Sequence, residues 1–246
     1  IGSILWHGEP NLSLPGSFAW EYYGENQSMT PAIINTLIMT ALTLFLAVPI
    51  GVFAAIYLVE YAKKGSKLVK LIRVTAETLA GIPSIVYGLF GFIVFVITLG
   101  WSYTLIAGVI TLAIMILPLI IRTTEEALMA VPDSFREGSF GLGAGKLRTV
   151  FHIVLPSAVP GIAAGIILAI GRIVGESAAL IFTSGTNPVV AKGLFTSAST
   201  LSVHLYALLT EGLYTEQAYA VAAVLLFLVI GINALSSVAA KKLTAK

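Results

Sequence analysis

Residues 32–61 have the sequence AIINTLIMTALTLFLAVPIGVFAAIYLVEY, in which Glu60 is the only charged residue. A helix needs about 20 predominantly apolar residues to cross the hydrocarbon core of a bilayer. The stretch therefore predicts a membrane-spanning helix that is long enough to tilt or break. The rest of the chain has the same character, because 57% of its 246 residues are hydrophobic and only 11% are charged. Soluble domains have about a quarter of their residues charged, so this composition excludes a water-soluble protein.

Four more stretches of the chain are apolar enough to cross a membrane. Together the five predicted spans are Ala32–Tyr61, Val74–Leu99, Tyr103–Ile121, Ala158–Phe182 and Ala218–Ala239. The predicted fold is therefore an all-α integral membrane protein, a polytopic helix bundle. Because proline lacks a backbone donor and kinks a helix, bent spans are expected at Pro49, Pro83, Pro118 and Pro160.

The basic residues predict which side of the membrane each loop occupies, since lysine and arginine near span ends are retained in the cytoplasm. Twelve of the fourteen follow the first span, follow the third span or lie at the C-terminus. The C-terminus and a loop at about 122–157 are therefore predicted inside, and a loop at about 183–217 outside. Residues 1–31 become an extracytoplasmic segment before a transmembrane domain of residues 32–246. An outside start implies one more span upstream or, alternatively, a cleaved signal peptide.

A glycine-broken basic segment separates two of the apolar runs. Residues 137–156 have the sequence EGSFGLGAGKLRTVFHIVLP. The letters GAGK resemble a phosphate-binding loop, but that loop requires G-x-x-x-x-G-K-[ST]. Phe140 stands where the first glycine should be, and Leu147 follows the lysine. We therefore expect this chain to bind no nucleotide and no other cofactor.

The sequence also argues against a metal site and against an enzyme. It has no cysteine, and its three histidines, His7, His152 and His204, have no ligand residues at metal-binding spacing. A membrane-embedded hydrolase needs a nucleophile beside a base within the spans. All three histidines lie in predicted loops, so we expect no catalytic residues and a transporter subunit instead.

Residues 137–156 resemble the cytoplasmic EAA loop of ABC importer permeases, on which an ATPase docks, and we call them the EAA-like segment. The pattern is Glu137-Gly138-Ser139, three residues, Gly143, nine residues and Ile153-Val154-Leu155-Pro156. Gly138 and Ser139 replace the family's two alanines. The docking residues that the resemblance implies are Glu137, Gly138, Ser139, Gly143, Ile153, Leu155 and Pro156.

Two short helices broken at Gly143 would suit such a docking role, because glycine tolerates a tight turn. They would present an apolar surface beside the basic residues Lys146 and Arg148. Its predicted members are Phe140, Leu142, Leu147, Val150 and Phe151. The alternative is an amphipathic hairpin that lies on lipid headgroups.

The resemblance extends over nearly the whole chain. It is carried by AAIYLVEYA (54–62), LAGIPSIVYGLFG (79–91), AVPDSFREGSFGLGAGK (130–146), LPSAVPGI (155–162) and GRIVGESAALIF (171–182). These segments are similar to the permeases of the phosphate-specific transport system, which are type I ABC importer permeases. SVHLYALL (202–209) and AYAVAAVLLFLVIGINAL (218–235) are more similar to the A-type permease subunit of that system than to its other permease.

The resemblance implies a multi-pass protein of a bacterial or archaeal cytoplasmic (inner) membrane that forms half of the pathway of a phosphate importer. The implied partners are a PstC-like permease, a PstB-like ATPase dimer and an external PstS-like phosphate-binding protein. ATP and magnesium would then be bound by the partner ATPase. The lipid bilayer surrounds the spans, and no nucleic acid partner is expected.

Three ionisable residues lie well inside the predicted spans: Glu77, Arg172 and Glu176. Such groups are costly in lipid and usually face an interior or an aqueous pathway. Arg172 and Glu176 are four residues apart, so on a continuous helix they form a pair. In a phosphate pathway the guanidinium would bind the oxyanion, while the carboxylate could accept the proton that phosphate still carries at neutral pH. The alternative is an ion pair that only fixes helix packing. Glu77 is expected to pair with Arg73.

Other functions remain open on the sequence alone. An ABC permease for sulfate or molybdate would share the EAA-like segment and the spans. A passive channel or scaffold would explain the spans but not the EAA-like spacing. A membrane hydrolase lacks the required residues, as argued above.

Overall fold

The apolar stretches of the sequence form helices almost throughout, because backbone N–H and C=O groups in lipid must hydrogen-bond to one another. The computed structural model describes residues 28–63, 65–212 and 215–244. Its helices are α1 (Thr30–Ile56), α2 (Lys67–Ala80), α3 (Ser84–Gly91), α4 (Leu105–Met129), α5 (Asp133–Gly141), α6 (Lys146–Thr149), α7 (Leu155–Val174), α8 (Ala178–Thr183), α9 (Leu201–Glu211) and α10 (Thr215–Thr244). π-helical turns extend three of them, at Tyr57–Tyr61, Phe92–Thr98 and Val150–Val154. The described chain contains no strand, so the predicted all-α fold is confirmed.

Four helices in this part of the chain are long and apolar enough to cross a membrane. They are Thr30–Tyr61, Leu105–Met129, Lys146–Val174 and Thr215–Val238. The predicted span Val74–Leu99 is broken, as expected at Pro83, because α2 ends at Ala80 and α3 begins at Ser84. Pro83 stands immediately before α3, where its missing N–H costs no helical hydrogen bond. This pair of helices counts as a fifth span only if the two are taken together.

The other prolines lie inside helices that continue through them. Pro49 lies in α1, Pro118 in α4 and Pro160 in α7. In a membrane, neighbouring groups can satisfy the backbone carbonyl that a proline leaves free. Of the four prolines at which a bent span was expected, Pro83 alone stands between two separate helices in the described chain.

The predicted span Ala158–Phe182 is shifted along the sequence. Helix already begins at Lys146, within the EAA-like segment, and runs through a π-helical turn to Val174. It stops there because Gly175, Glu176 and Ser177 leave the helical path before α8 begins at Ala178. Arg172 therefore lies at the end of a long helix, and Glu176 lies beyond that end.

Contacts divide the chain into two compact units. The first contains residues 28–44, 82–115, 171–212 and 215–232 of the described chain. Its apolar core joins the start of α1 to α9 and α10, with buried Met29, Ala32, Leu201, Leu208, Ala218, Ala220 and Val221. Asn35 on α1 fixes the loop before α9. Its amide donates to the carbonyls of Val189 at 2.9 Å and Ser199 at 3.1 Å, and its oxygen accepts from the N–H of Ala191 at 3.0 Å.

Close helix contact in the first unit depends on a glycine. Gly88 on α3 lies against the backbone of α8, and a Cβ at this position would come within 2.8 Å of Ala179 Cα. The two helices are therefore closer at Gly88 than any larger side chain would allow.

The second unit contains residues 45–63, 65–81, 116–170 and 233–244 of the described chain. Its core is built from the end of α1, the end of α4 and the start of the helix that leads into α7. The buried members are Ala55, Ile56, Leu128, Val131, Val150, Val154, Ala158 and Ile162. Two of its members, Val150 and Val154, belong to the EAA-like segment, so this core anchors the segment to the spans.

Candidate functional site

The EAA-like segment has the predicted shape of two short helices broken at a glycine. α5 ends at Gly141, the chain turns at residues 142–145, and helix resumes at Lys146. Gly143 has φ +81°, a left-handed conformation that favours glycine. The turn is closed by backbone hydrogen bonds from Gly143 N–H to Phe140 at 2.9 Å and from Ala144 N–H to Ser139 at 3.1 Å. The glycine break therefore has a direct conformational cause.

The segment presents large apolar side chains that nothing in its own unit covers. Leu142 is 91% exposed, Leu147 66% and Phe140 47%, and Phe151 is also exposed. Lys146 and Arg148 are exposed beside them. Val150 was predicted on this surface, but it is buried in the core of the second unit, because the π-helical turn that begins there faces inward.

The residues expected to dock an ATPase divide into three groups. Glu137, Gly138, Gly143 and Pro156 are exposed, whereas Ile153 and Leu155 are half-buried. Ser139 is buried, and its Oγ lies 2.8 Å from Thr149 Oγ1 on the second arm of the segment. Ser139 therefore ties the two arms together and is not available on the surface.

Arg136, one residue before the EAA-like segment, makes contacts that sequence reasoning missed. It donates to Glu60 from Nε at 3.1 Å and from Nη2 at 2.8 Å. It also donates to the carbonyls of Leu128 at 2.9 Å and Val131 at 2.8 Å, and to Asp133 Oδ1 at 3.2 Å. The sequence did contain one signal of these contacts. Glu60 is the only charged residue of the apolar stretch 32–61, and a charged residue there is expected to have a partner.

One further ion pair connects α2 to α4 in the second unit, and another lies within α4. Arg73 donates to Glu125 at 3.2 Å, so the predicted Arg73–Glu77 pair is wrong in the described chain. Arg122 pairs with Glu126 at 3.0 Å on the solvent-exposed side of α4. The third span was predicted to end at Ile121, whereas α4 continues to Met129 and carries both glutamates.

Glu176 belongs to the break between α7 and α8. Its carboxylate Oε1 accepts the N–H of Ala179 at 3.1 Å, and its backbone carbonyl accepts Ser202 Oγ at 2.5 Å. The side chain is buried. Glu176 therefore holds the first turn of α8 and links the break to α9.

Arg172 is half-buried, two residues before the end of α7. The expected ion pair with Glu176 is absent from the described chain, because the helix that would bring them together ends at Val174. Arg172 is instead within electrostatic reach of the buried Tyr87 on α3. Within the described residues no carboxylate pairs with its guanidinium, and such a group attracts oxyanions.

The described chain thus combines helical spans, an EAA-like segment that exposes apolar residues, and Arg172 near a helix break with no carboxylate partner among the described residues. Residues 47–244 match the family described as "Binding-protein-dependent transport system inner membrane component". The chain belongs to this family. It is a multi-pass membrane permease subunit and not an enzyme.

Curated relatives refine the relationship. The chain is 34% identical over 224 residues to "Phosphate transport system permease protein PstA" of Mycobacterium leprae, covering 90% of this chain and 72% of the relative. It is 40% identical over 172 residues to "Phosphate transport system permease protein PstA 1" of Mycobacterium tuberculosis (strain ATCC 25618 / H37Rv), covering 70% of this chain and 53% of the relative. It is 36% identical over 200 residues to "Probable ABC transporter permease protein YqgI" of Bacillus subtilis, covering 75% and 67%. The permease thus spans about half the length of one relative and more of the others.

Two solved structures have the same fold. The MetNI methionine ABC transporter in an inward-facing conformation aligns with a TM-score of 0.69 at 19% identity, covering 99% of each chain. A bacterial ABC transporter for the import of alginate aligns with a TM-score of 0.66 at 17% identity, covering 98% of this chain and 93% of the other. At these identities the similarity establishes the importer permease fold alone.

Proposed function

We propose that this permease is a subunit of an ATP-driven phosphate importer and forms half of its translocation pathway. The observation that carries the proposal is the 34% and 40% identity to phosphate permeases over 90% and 70% of the chain. A sulfate or molybdate importer is the second candidate, since the EAA-like segment and the fold are common to the wider family. The identity to phosphate permeases favours the first.

The EAA-like segment is the proposed contact with a PstB-like ATPase dimer, which would bind ATP and magnesium. The exposure of Glu137, Leu142 and Leu147 supports this contact, because a soluble partner can bury them together. An apolar knob with basic neighbours fits a groove whose rim is acidic. The segment, like the C-terminus, would then lie on the cytoplasmic side of the inner membrane.

One continuous helical path would connect this docking contact with the substrate. The helix Lys146–Val174 begins within the EAA-like segment and carries Arg172 near its other end. A helix transmits displacement along its axis better than a loop does, since each turn is held by backbone hydrogen bonds. ATP-driven movement of the segment would therefore shift the helix end that carries Arg172, and the spans would alternate their access.

Arg172 is the proposed contact for phosphate within the pathway. A guanidinium binds a tetrahedral oxyanion through two parallel hydrogen bonds. Binding there must be weak so that phosphate can leave, and selection would then belong to an external PstS-like protein. Glu176 would tune the site by holding α8 in position, because its carboxylate bonds the N–H of Ala179. A PstC-like permease would supply the other half of the pathway within the bilayer.

The test is uptake of radiolabelled phosphate by cells that carry the full transporter. Arg172→Gln should reduce uptake to background while the variant still co-purifies with the ATPase. The control is Arg122→Gln, which removes an exposed ion pair and should leave uptake unchanged. Normal uptake in Arg172→Gln would overturn the assignment. Background phosphate uptake in wild-type cells, together with transporter-dependent uptake of labelled sulfate or molybdate, would favour the second candidate.

A further inference from the structure

All five N–H donors of one arginine are used at the entrance to the EAA-like segment. The Arg136 guanidinium donates to the Glu60 carboxylate twice, to Asp133 and to the carbonyls of Leu128 and Val131. The Arg136 side chain is 15% exposed and the Glu60 side chain 8%. A buried guanidinium with every donor satisfied has one well-defined position.

The partners of Arg136 lie at the end of the first span, at the end of α4 and on α5 itself, all within the second unit. Glu60 lies in the π-helical turn that ends the helix Thr30–Tyr61. Leu128 lies in the last turn of α4, and Val131 follows the end of that helix. Arg136 itself lies on α5, one residue before Glu137. The arginine therefore joins α5 to the ends of two membrane-spanning helices.

Other contacts bind the same parts together. The Lys146 ammonium lies 5.2 Å from the centre of the Tyr61 ring, so the second arm of the EAA-like segment also contacts the end of the first span. Ser139 and Thr149 join the two arms at 2.8 Å. The apolar core beneath contains Ile56 from the first span and Leu128 from α4. These contacts leave little freedom for α5 to move without the spans.

We infer that Arg136 is a positioning residue that makes the EAA-like segment and the ends of the helices Thr30–Tyr61 and α4 move as one body. The inference rests on the proposed function, because it assigns a path for the movement that a partner ATPase would impose. The helix Lys146–Val174 provides one path from the segment into the membrane. Arg136 provides a second path, to two other spans. Without it, the first arm of the segment moves while those spans stay behind, and ATP is hydrolysed without import.

Lysine should not replace arginine at this position. An ammonium has three donors on a flexible stem, whereas the four acceptor groups around Arg136 are arranged about a planar fork. Arg136→Lys keeps the positive charge and so separates a need for charge from a need for geometry. Arg136→Gln removes both.

The experiment uses the full transporter, with both permeases, the ATPase dimer and the binding protein, reconstituted in liposomes. The ratio of phosphate imported to ATP hydrolysed is measured for the wild type, Arg136→Gln, Arg136→Lys and Glu60→Gln. All variants should assemble and hydrolyse ATP, and the ratio should fall about tenfold or more in Arg136→Gln and severalfold in the other two. Arg122→Gln, which removes an exposed pair, should retain the wild-type ratio.

The other possible outcomes contradict either the inference about Arg136 or the proposed function. A wild-type ratio in an assembled Arg136→Gln or Glu60→Gln transporter overturns the inference while leaving the proposed function intact. Loss of assembly in both Arg136→Lys and Glu60→Gln also overturns it, since the network would then serve stability alone. If the wild-type transporter imports no phosphate with ATP, the proposed function fails, and the inference fails with it.

Discussion

Replacing Gly88 by alanine adds one methyl group where α3 lies against α8. The new Cβ would be 2.8 Å from Ala179 Cα, 3.1 Å from the carbonyl oxygen of Ala178 and 3.2 Å from that of Ala179. Carbon atoms in contact are normally about 3.5–4.0 Å apart, so the methyl group is too close by about 0.7 Å. All three obstructing atoms belong to the backbone, and no rotation of a side chain relieves the clash.

The cost follows from this geometry. Inserting a methyl group into a packed interior costs about 1–3 kcal/mol, and an immovable backbone places this site at the upper end. Alanine recovers about 0.5–1 kcal/mol, because glycine loses more conformational freedom in a helix. The net loss should be about 2 kcal/mol, a shift of roughly thirtyfold in the unfolding equilibrium.

The assay is reversible unfolding of the purified permease in mixed detergent micelles, followed by circular dichroism as the denaturing detergent is increased. The matched control is Gly231→Ala on α10, where an added Cβ meets nothing within 4 Å. That substitution should stabilise the permease by about 0.5–1 kcal/mol. The reasoning is refuted if Gly88→Ala is as stable as Gly231→Ala, because α3 and α8 would then not be in contact at this glycine.

Two more substitutions test other parts of the fold. Asn35→Leu removes the three hydrogen bonds that hold the loop before α9. At about 0.5–1.5 kcal/mol for each bond, the free energy of unfolding should fall by about 2–4 kcal/mol, and proteases should cut this loop faster. Unchanged protease resistance would contradict the prediction. Ser139→Ala removes the bond to Thr149 and should cost about 1 kcal/mol in the same unfolding assay. Thr149→Val also removes the bond to the Gly145 carbonyl, so in a double-mutant cycle it should cost less in the Ser139→Ala background than in the wild type, but not nothing. Full additivity of the two losses would mean that the hydroxyl groups do not interact.

Composition predicts the helices of this permease well, because lipid leaves an apolar backbone few alternatives. Residues 32–61 form a helix as predicted, and so do most residues of the other apolar stretches. Composition does not predict where a helix stops. The break before α3 was expected from Pro83, whereas the break at residues 175–177 falls inside a stretch predicted to be one span and depends on local geometry.

Contacts between residues that are far apart along the chain were the part of the candidate site that could not be predicted from the sequence. Arg73 was expected to pair with Glu77 four residues away, because spacing on one helix is all that sequence reveals. Its partner Glu125 is 52 positions along the chain. Arg136 and Glu60 are separated by 76 positions, and only the packing of α5 against the end of the first span brings them together.

The EAA-like pattern was informative about the turn and misleading about one side chain. Gly143 could be predicted at the break because few other residues adopt its conformation readily. Ser139 was grouped with the docking residues because the family pattern has an alanine there. A small residue fits that position since it is buried between the two arms, and serine adds a hydrogen bond that alanine cannot make.

The arginines of the described chain differ in a way that bears on transport. Arg73, Arg122 and Arg136 each have a carboxylate partner, and Arg148 is exposed in the EAA-like segment. Arg172 is half-buried and has no carboxylate partner among the described residues. A cation that served only to fix helix packing would be expected to carry its counter-ion permanently, because an unpaired charge away from water is costly. The difference supports the proposal that the counter-ion of Arg172 arrives with each transport cycle, as the anion being moved.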